Sequence, residues 1–323
     1  MHHRRDILIL SAALLTTAMT GRADAQNFPS QPIKIIVPLA PGGVADVIGR
    51  AFANKLGEAG YTAIVENKTG ASGIIGADFV AKSAPDGYTI CVGFHAINAI
   101  LPHLQKLNYD PEKDLIPITV AARTANVLII HPSVPAKSLQ QLVAYAKSNP
   151  GKLTFASQGN GSTGHMIGEQ FKEAAGIDIR HIPYKGAAPA AQDLIAGHVS
   201  MLFDVLNTAV PQIKSEKVIA LAVADSARSP LLPDVPTVVE AGFPELESGP
   251  WFGFFVPANT PKSVIDWLHG QAIKAFNAPE VKEQFVRLGL TPMLGTPAET
   301  RTFVANEYKR WGDVVKKANI TLN

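Results

Sequence analysis

Residues 28–50 read FPSQPIKIIVPLAPGGVADVIGR, and this stretch decides the class of fold. The apolar, β-branched run at 33–37 has the length and composition of a buried strand, which Pro38 ends. The Pro-Gly-Gly turn at 41–43 carries no large side chain, and an amphipathic helical pattern follows it. A strand, a glycine-rich turn and a helix start together leave unpaired N–H groups that favour an anion. The stretch therefore predicts an α/β unit with an anion-binding turn.

The first 25 residues have the order of an export signal. A basic segment that contains the Arg4-Arg5 pair precedes an apolar stretch at 7–19, and small residues suit cleavage between Ala25 and Gln26. The apolar stretch is shorter than the roughly 20 residues that a membrane-spanning helix needs. The arginine pair leaves both the general and the twin-arginine export routes open. We therefore predict that residues 1–25 are a signal peptide.

Charge and composition exclude several classes of protein. The chain has 323 residues, with 29 Lys and Arg against 27 Asp and Glu, so no basic excess supports nucleic-acid binding. This length exceeds one typical domain and suits two. The single cysteine, Cys91, cannot form an intrachain disulfide and is predicted to be a small buried hydrophobic residue. Stability must therefore come from core burial.

Strand and helix patterns alternate along most of the chain, which predicts parallel sheets covered by helices. One set of these patterns ends near residue 124, and a second set follows it. The apolar strand at 251–257 lies far from the first set and precedes a tail that reads as all helix. Patterning alone does not show where this tail packs. A discontinuous first domain, 26–124 with 251–323, around a second domain, 125–250, would explain the apolar segments at both borders.

The glycine-rich loop at 159–164 admits two interpretations. GNGSTG matches the dinucleotide fingerprint G-x-G-x-x-G after a predicted strand. However, the loop lies mid-chain in an exported protein. Asp178 lies at the start of the next strand, whereas the dinucleotide fingerprint expects its ribose-binding carboxylate after that strand. We favour an anion-binding helix start, where small residues expose N–H groups and Ser162 and Thr163 add hydroxyls.

Catalytic and metal-binding patterns are weak. Ser162 and His165 can share a helix face as a nucleophile and a base would, but no orienting third group or G-x-S-x-G elbow accompanies them. The histidines lack metal-ligand spacing, and no cofactor is predicted.

Lys185 could contact an anion or stay solvated, and Asp204 could bind a ligand or cap a helix. An exported hydrolase or oxidoreductase that uses the 159–164 loop remains the alternative to a non-catalytic receptor.

Several segments occur together in an order and at a spacing typical of one receptor family. They are 32–50 with the pattern PGG-x-x-D-x-x-x-R, 66–76 with 86–89, 159–165 with 183–190, and 233–242 with 251–253. From Phe28 to the last helix, the chain resembles the periplasmic solute receptors of tripartite tricarboxylate transporters, called Bug receptors. The resemblance implies an α/β, class II periplasmic-binding-protein fold, with two α/β domains and a ligand cleft between them.

The resemblance also implies how a small carboxylate solute is held, namely by backbone amides, hydroxyls and bridging water. The first domain would supply Ala40, Gly42, Gly43, Asp46, Gly70, Ala71 and Ser72. The second domain would supply Gly161, Ser162, Thr163, His165, Lys185, Gly186, Ala187 and Asp204. Two positions depart from the family. Ala45 replaces a hydroxyl residue, and His95 replaces a small polar residue and could contact a carboxylate if it were protonated.

The partners that the resemblance implies are a small carboxylate solute and the membrane permease subunits of a tripartite tricarboxylate-type transporter, or a sensor protein. The receptor would be a periplasmic monomer without nucleic-acid partners. Crossing strands near 123–128 and 249–255 would act as a hinge that closes on the solute. The two glycine-rich helix starts would then face each other across the cleft.

Overall fold

The computed structural model describes residues 28–318 and 320–321. The predicted signal peptide and its cleavage site lie outside the described residues. Among the helices in the described ranges, none combines the length and the apolar character of a membrane span.

The strands and helices alternate through most of the chain, as the sequence pattern predicts. The strands are β1 (Ile33–Val37), β2 (Ala63–Asn67), β3 (Thr89–Phe94), β4 (Leu115–Thr124), β5 (Asn126–Ile130), β6 (Thr154–Ser157), β7 (Arg180–Pro183), β8 (Met201–Val205), β9 (Ile219–Val223), β10 (Trp251–Pro257) and β11 (Leu290–Pro292). The helices are α1 (Val44–Glu58), α2 (Ile74–Ala81), α3 (Leu101–Leu104), α4 (Leu139–Ser148), α5 (Thr163–Ala175), α6 (Ala187–Ile195), α7 (Leu206–Lys214), α8 (Lys262–Asn277), α9 (Pro279–Arg287) and α10 (Pro297–Lys317).

The strands form two separate sheets. A six-stranded sheet has the order β11-β4-β10-β3-β1-β2, and a five-stranded sheet has the order β7-β6-β8-β5-β9. We call the six-stranded sheet with its helices the first lobe, and the five-stranded sheet with its helices the second lobe. The lobes give the two-domain α/β fold that the sequence predicts, while the residue boundaries of its domains stay a prediction.

The expectation of parallel sheets is only partly right, because both sheets are mixed. β1 pairs in parallel with β2 and β3, and β6 pairs in parallel with β7 and β8. In contrast, β10 runs antiparallel to β3 and β4, and β5 runs antiparallel to β8 and β9. The antiparallel pairs involve strands next to the lobe crossings. Such a strand enters its sheet directly from the other lobe. Because no helical crossover precedes it, it pairs antiparallel with its neighbours.

The prediction of an all-helical tail is wrong, because β11 adds an edge strand to the first sheet. Leu290 and Pro292 pair antiparallel with Thr124 and Ala122 of β4. A short strand that contains a proline leaves no recognisable alternation in the sequence, and proline is tolerated at a sheet edge. Only the pairing with β4 reveals it.

The core lies on the faces that the apolar patterns predict. Ile33, Ile35 and Ile36 of β1 have no exposed surface, as expected for a strand covered on both faces. In α10, the apolar stripe is also core packing, because Trp311 is fully buried and Val304 is nearly so. The helix begins with a capping box in which Thr296 and Glu299 satisfy each other's backbone N–H groups.

The lobes are joined where β4 passes into β5 and where the chain returns through β10. The amide of Thr124 donates to the carbonyl of Pro250, with a distance of 2.9 Å. Gly249 packs directly on this crossing, since a Cβ atom there would overlap the carbonyl oxygen of Thr124. The two crossing segments therefore touch through backbone atoms at this point.

Candidate ligand-binding cleft

A cleft of about 750 Å³ is lined by residues from both lobes. From the first lobe and the crossing strand it is lined by Leu39, Ala71, Ser72, Phe94, His95, Ala96, Leu101, Gln105, Pro250 and Phe252. From the second lobe it is lined by Gln158, Gly159, Asn160, Gly161, Ser162, Thr163, Tyr184, Lys185, Gly186 and Val205. Its volume is in the range typical of small-molecule sites.

The cleft brings together part of the predicted site. Ala71, Ser72, His95, Gly161, Ser162, Thr163, Lys185 and Gly186 line it. Ala40, Gly42, Gly43, Asp46, Gly70, His165, Ala187 and Asp204 lie outside its lining. The lining residues follow the carboxyl ends of β3, β6 and β7, which is the edge where α/β sheets bind ligands.

The Asp46 carboxylate stabilises the first glycine-rich turn through hydrogen bonds. Its buried carboxylate accepts hydrogen bonds from the amide of Gly42 at 2.9 Å, from Arg50 Nε at 2.8 Å and from Asn67 Nδ2 at 2.9 Å. Burial acts to raise the pKa of Asp46, but these hydrogen bonds outweigh it and hold the pKa below its usual value. Gly42 has a φ of +85°, which favours glycine. The turn is therefore held rigid, and the Gly42 amide is already occupied.

The second glycine-rich turn is also stabilised by hydrogen bonds to side chains of the helix that follows it and of its cap. The amide of Gly161 donates to Nδ1 of His165 at 3.1 Å. The Ser162 hydroxyl donates to the Gly159 carbonyl at 2.7 Å and accepts from the His165 amide at 3.3 Å, so it caps α5. The amides of Thr163 and Gly164, by contrast, donate no hydrogen bond within the described structure. These two amides are the anion-binding groups that remain at this helix start.

The His165 ring is a structural group and remains uncharged near neutral pH. It stacks on the ring of His181, with centroids 4.0 Å apart and an interplanar angle of 9°. Burial, and then the charge of Lys172, lower the pKa of His165 to about 4. Burial also lowers the pKa of His181 to about 3, with further contributions from His165 and Lys172. The Ser162 hydroxyl bonds to backbone groups and not to the His165 ring, so the structure does not support a nucleophile–base pair.

Asp204 positions a cleft residue that sequence analysis missed. Its fully buried carboxylate accepts from Thr208 Oγ1 at 2.8 Å, from the Val205 amide at 2.9 Å and from Gln158 Nε2 at 3.2 Å. Burial raises the pKa of Asp204. Gln158 also donates to the carbonyl of Phe203 at 3.0 Å, which holds its side chain at the cleft edge. No motif singles out this glutamine, because its role depends on a partner far along the chain.

His95 lines the cleft with an uncharged ring. The residue is 7% exposed, and burial lowers the pKa of its ring to about 3 although a backbone hydrogen bond with Trp251 opposes the shift. With no anion beside it, the His95 ring is therefore uncharged near neutral pH. The neighbouring Phe94 and Phe252 were missed as cleft residues because the sequence identifies them only as parts of apolar strands.

Ala71, Ser72 and Lys185 are three further cleft residues whose backbone or charge bears on ligand binding. Ala71 and Ser72 have φ values of 46° and 55°, a region that non-glycine residues rarely adopt and that is enriched at functional sites. Lys185 is exposed and forms no ion pair or side-chain hydrogen bond with another described residue. Among the described residues, no group of His, Cys, Asp and Glu side chains could hold a metal ion.

Comparisons with known proteins agree with this architecture. BugT of Bordetella pertussis is 34% identical over 325 residues, covering 100% of both chains. The solved structure of R. palustris Rpa4515 with adipate is 34% identical, with a TM-score of 0.82, and covers 91% of this chain and 99% of that chain. MatC from Rhodopseudomonas palustris with bound malate is 32% identical, with a TM-score of 0.76, and covers 89% of this chain and 100% of that chain.

A family model described as the tripartite tricarboxylate transporter family receptor matches residues 44–320. This is a family of periplasmic solute receptors and not of enzymes, so the predicted receptor class is confirmed. The alternative of an exported hydrolase or oxidoreductase receives no support from the relatives. The chain belongs to the tripartite tricarboxylate transporter receptor family.

Proposed function

We propose that this receptor captures a small carboxylate-bearing solute in its cleft and delivers it to the membrane permease subunits of a tripartite tricarboxylate-type transporter, or to a sensor protein. In this proposal it is a periplasmic monomer whose signal peptide is removed between Ala25 and Gln26. The observation that carries the proposal is the start of α5, where the free amide of Thr163 belongs to a cleft-lining residue and the free amide of Gly164 follows it in the helix. The adipate and malate in the two related structures support the same ligand class.

The second lobe supplies the charge that such a solute needs. The helix dipole of α5 places partial positive charge at the free amides, and the unpaired ammonium of Lys185 lines the same cleft. A carboxylate bound there would accept charge-assisted hydrogen bonds, which are stronger than neutral ones. The hydrogen bond from the Gly161 amide to His165 fixes the conformation of the turn before the ligand binds. Little conformational entropy is therefore lost on binding.

Replacing Lys185 with glutamine is expected to weaken binding of adipate or malate by roughly tenfold to a hundredfold. The substitution keeps much of the side chain but removes the positive charge, and a hydrogen bond to a charged group is worth about 1.5–3 kcal/mol. Isothermal titration calorimetry of the mature protein measures this directly. Lys217→Gln is the matched control, because Lys217 is exposed and lies outside the cleft. Equal affinity in the parent and in Lys185→Gln would contradict the proposed anion site.

Ligand capture is also expected to close the cleft. Within the described residues, the chain crosses between the lobes at Thr124–Asn126 and around Gly249, and these short segments can act as a hinge. Small-angle scattering with saturating adipate or malate should show a smaller radius of gyration than scattering without ligand. An unchanged radius in a sample that calorimetry shows to be saturated would mean that the lobes do not close.

A further inference from the structure

An aromatic cluster forms the first-lobe wall of the cleft. The rings of Phe94 and Phe252 stack with centroids 6.3 Å apart and an interplanar angle of 28°. The ring of His95 meets Phe94 edge-on at 5.6 Å and Phe252 at 6.4 Å. All three residues line the cleft. We call these three rings the aromatic wall.

The aromatic wall packs against neighbouring backbone. Phe94 lies close to Gly73, since a Cβ atom on that glycine would come within 2.9 Å of Phe94 Cζ. Phe252 belongs to β10 and lies opposite Phe94 of β3 in the antiparallel register. The three residues are 5–7% exposed, so the wall presents a small preformed apolar surface, which costs little ordering on ligand binding.

Charge is confined to the opposite side of the cleft. Lys185 is the only charged side chain among the described residues that line it, and it belongs to the second lobe. The His95 ring on the wall is neutral near pH 7, because burial lowers its pKa to about 3. A carboxylate placed against the wall would lose water and meet no cation there, and the unpartnered Nδ1 of His95 could replace only part of its hydration.

We propose that the preferred ligand carries one carboxylate and a planar apolar ring, with the carboxylate toward Lys185 and the ring on the aromatic wall. This inference rests on the proposed function of the cleft and makes it more specific. Offset or edge-on packing of a ligand ring on Phe94 and Phe252 adds to the area that is buried. A dicarboxylate of similar size would gain no ring stacking from the wall and would have to desolvate its second charge.

The test compares ligands that differ in charge and in ring. Calorimetry of the mature protein with benzoate, hexanoate, adipate and malate should give the tightest binding for benzoate, by at least about tenfold over adipate. Hexanoate has one carboxylate and no ring, so it separates the contribution of charge from that of the ring. Phe94→Leu should lower the ratio of benzoate affinity to adipate affinity by about threefold to tenfold.

The ratio of the two affinities within one protein cancels any general loss of folding in the variant. Phe252→Leu provides a second variant with the same expectation. Phe79→Leu, an exposed phenylalanine outside the cleft, should leave the ratio unchanged. Tighter binding of adipate or malate than of benzoate would overturn this inference and leave the proposed function standing. An equal loss for benzoate and adipate in Phe94→Leu would also overturn it. Failure of all four ligands to bind would overturn the proposed function as well.

Discussion

Replacing Gly249 with alanine is expected to lower the free energy of unfolding by at least about 3 kcal/mol, at the upper end of the cost of overpacking. The new Cβ would overlap the carbonyl oxygen of Thr124 and crowd the backbone around Ala125. Backbone atoms cannot rotate away as a flexible side chain can, so the crossing segments must separate. Their separation would also weaken the hydrogen bond between the Thr124 amide and the Pro250 carbonyl. Thermal and urea unfolding followed by circular dichroism would measure the loss.

Gly270→Ala is the matched control for this substitution. Gly270 lies inside α8, and nothing would lie within 4 Å of an added Cβ there. Alanine is the better helix former by about 1 kcal/mol, so this variant should be neutral or more stable. If Gly249→Ala unfolded at the same temperature as the parent, the crossing segments could not be as tightly packed as the structure shows.

Acidification is expected to destabilise the fold between pH 6.5 and about 4, in large part through His165. Its pKa is lowered from 6.5 in the unfolded chain to about 4 by burial and by Lys172. In this window the unfolded state binds a proton that the folded state does not, so stability is complete above pH 6.5 and falls as the pH drops. The difference corresponds to about 3 kcal/mol for this group alone. Burial lowers the pKa of His95 and His181 as well, so they act in the same direction.

The substitution His165→Asn isolates this contribution. The asparagine carbonyl can still accept the Gly161 amide hydrogen, but it does not titrate in this range. The variant should be less stable than the parent at pH 7, because the stacking on His181 is lost. Its decline toward pH 4 should be shallower by about 3 kcal/mol.

Urea unfolding at several pH values would measure this slope. A parent profile that stays flat between pH 6.5 and 4, or an equally steep decline in His165→Asn, would contradict the role given to His165. Asp204 acts in the opposite direction because burial raises its pKa, so only the comparison between variants assigns the slope.

The sequence alone determined the class of fold and much of the secondary structure. Strand β1 and strand β10 coincide with the predicted apolar runs, because a strand buried on both faces leaves a continuous β-branched or aromatic segment. The helix starts at Val44 and Thr163 were recognisable from the glycine-rich turns before them. These features depend on neighbours within a few residues, so they are visible in the sequence.

Only the tertiary structure decided which polar groups are available to a ligand. Asp46 and His165 belong to the predicted motifs, yet each accepts the amide of the glycine four residues before it and braces a turn. Gln158 is held at the cleft by hydrogen bonds from its side chain to Phe203 and Asp204, which lie far along the chain. The directions of the strands at the lobe crossings and the charge state of His95 likewise depend on packing between distant segments. Burial and partner geometry set these properties, and neither is encoded in local residue spacing.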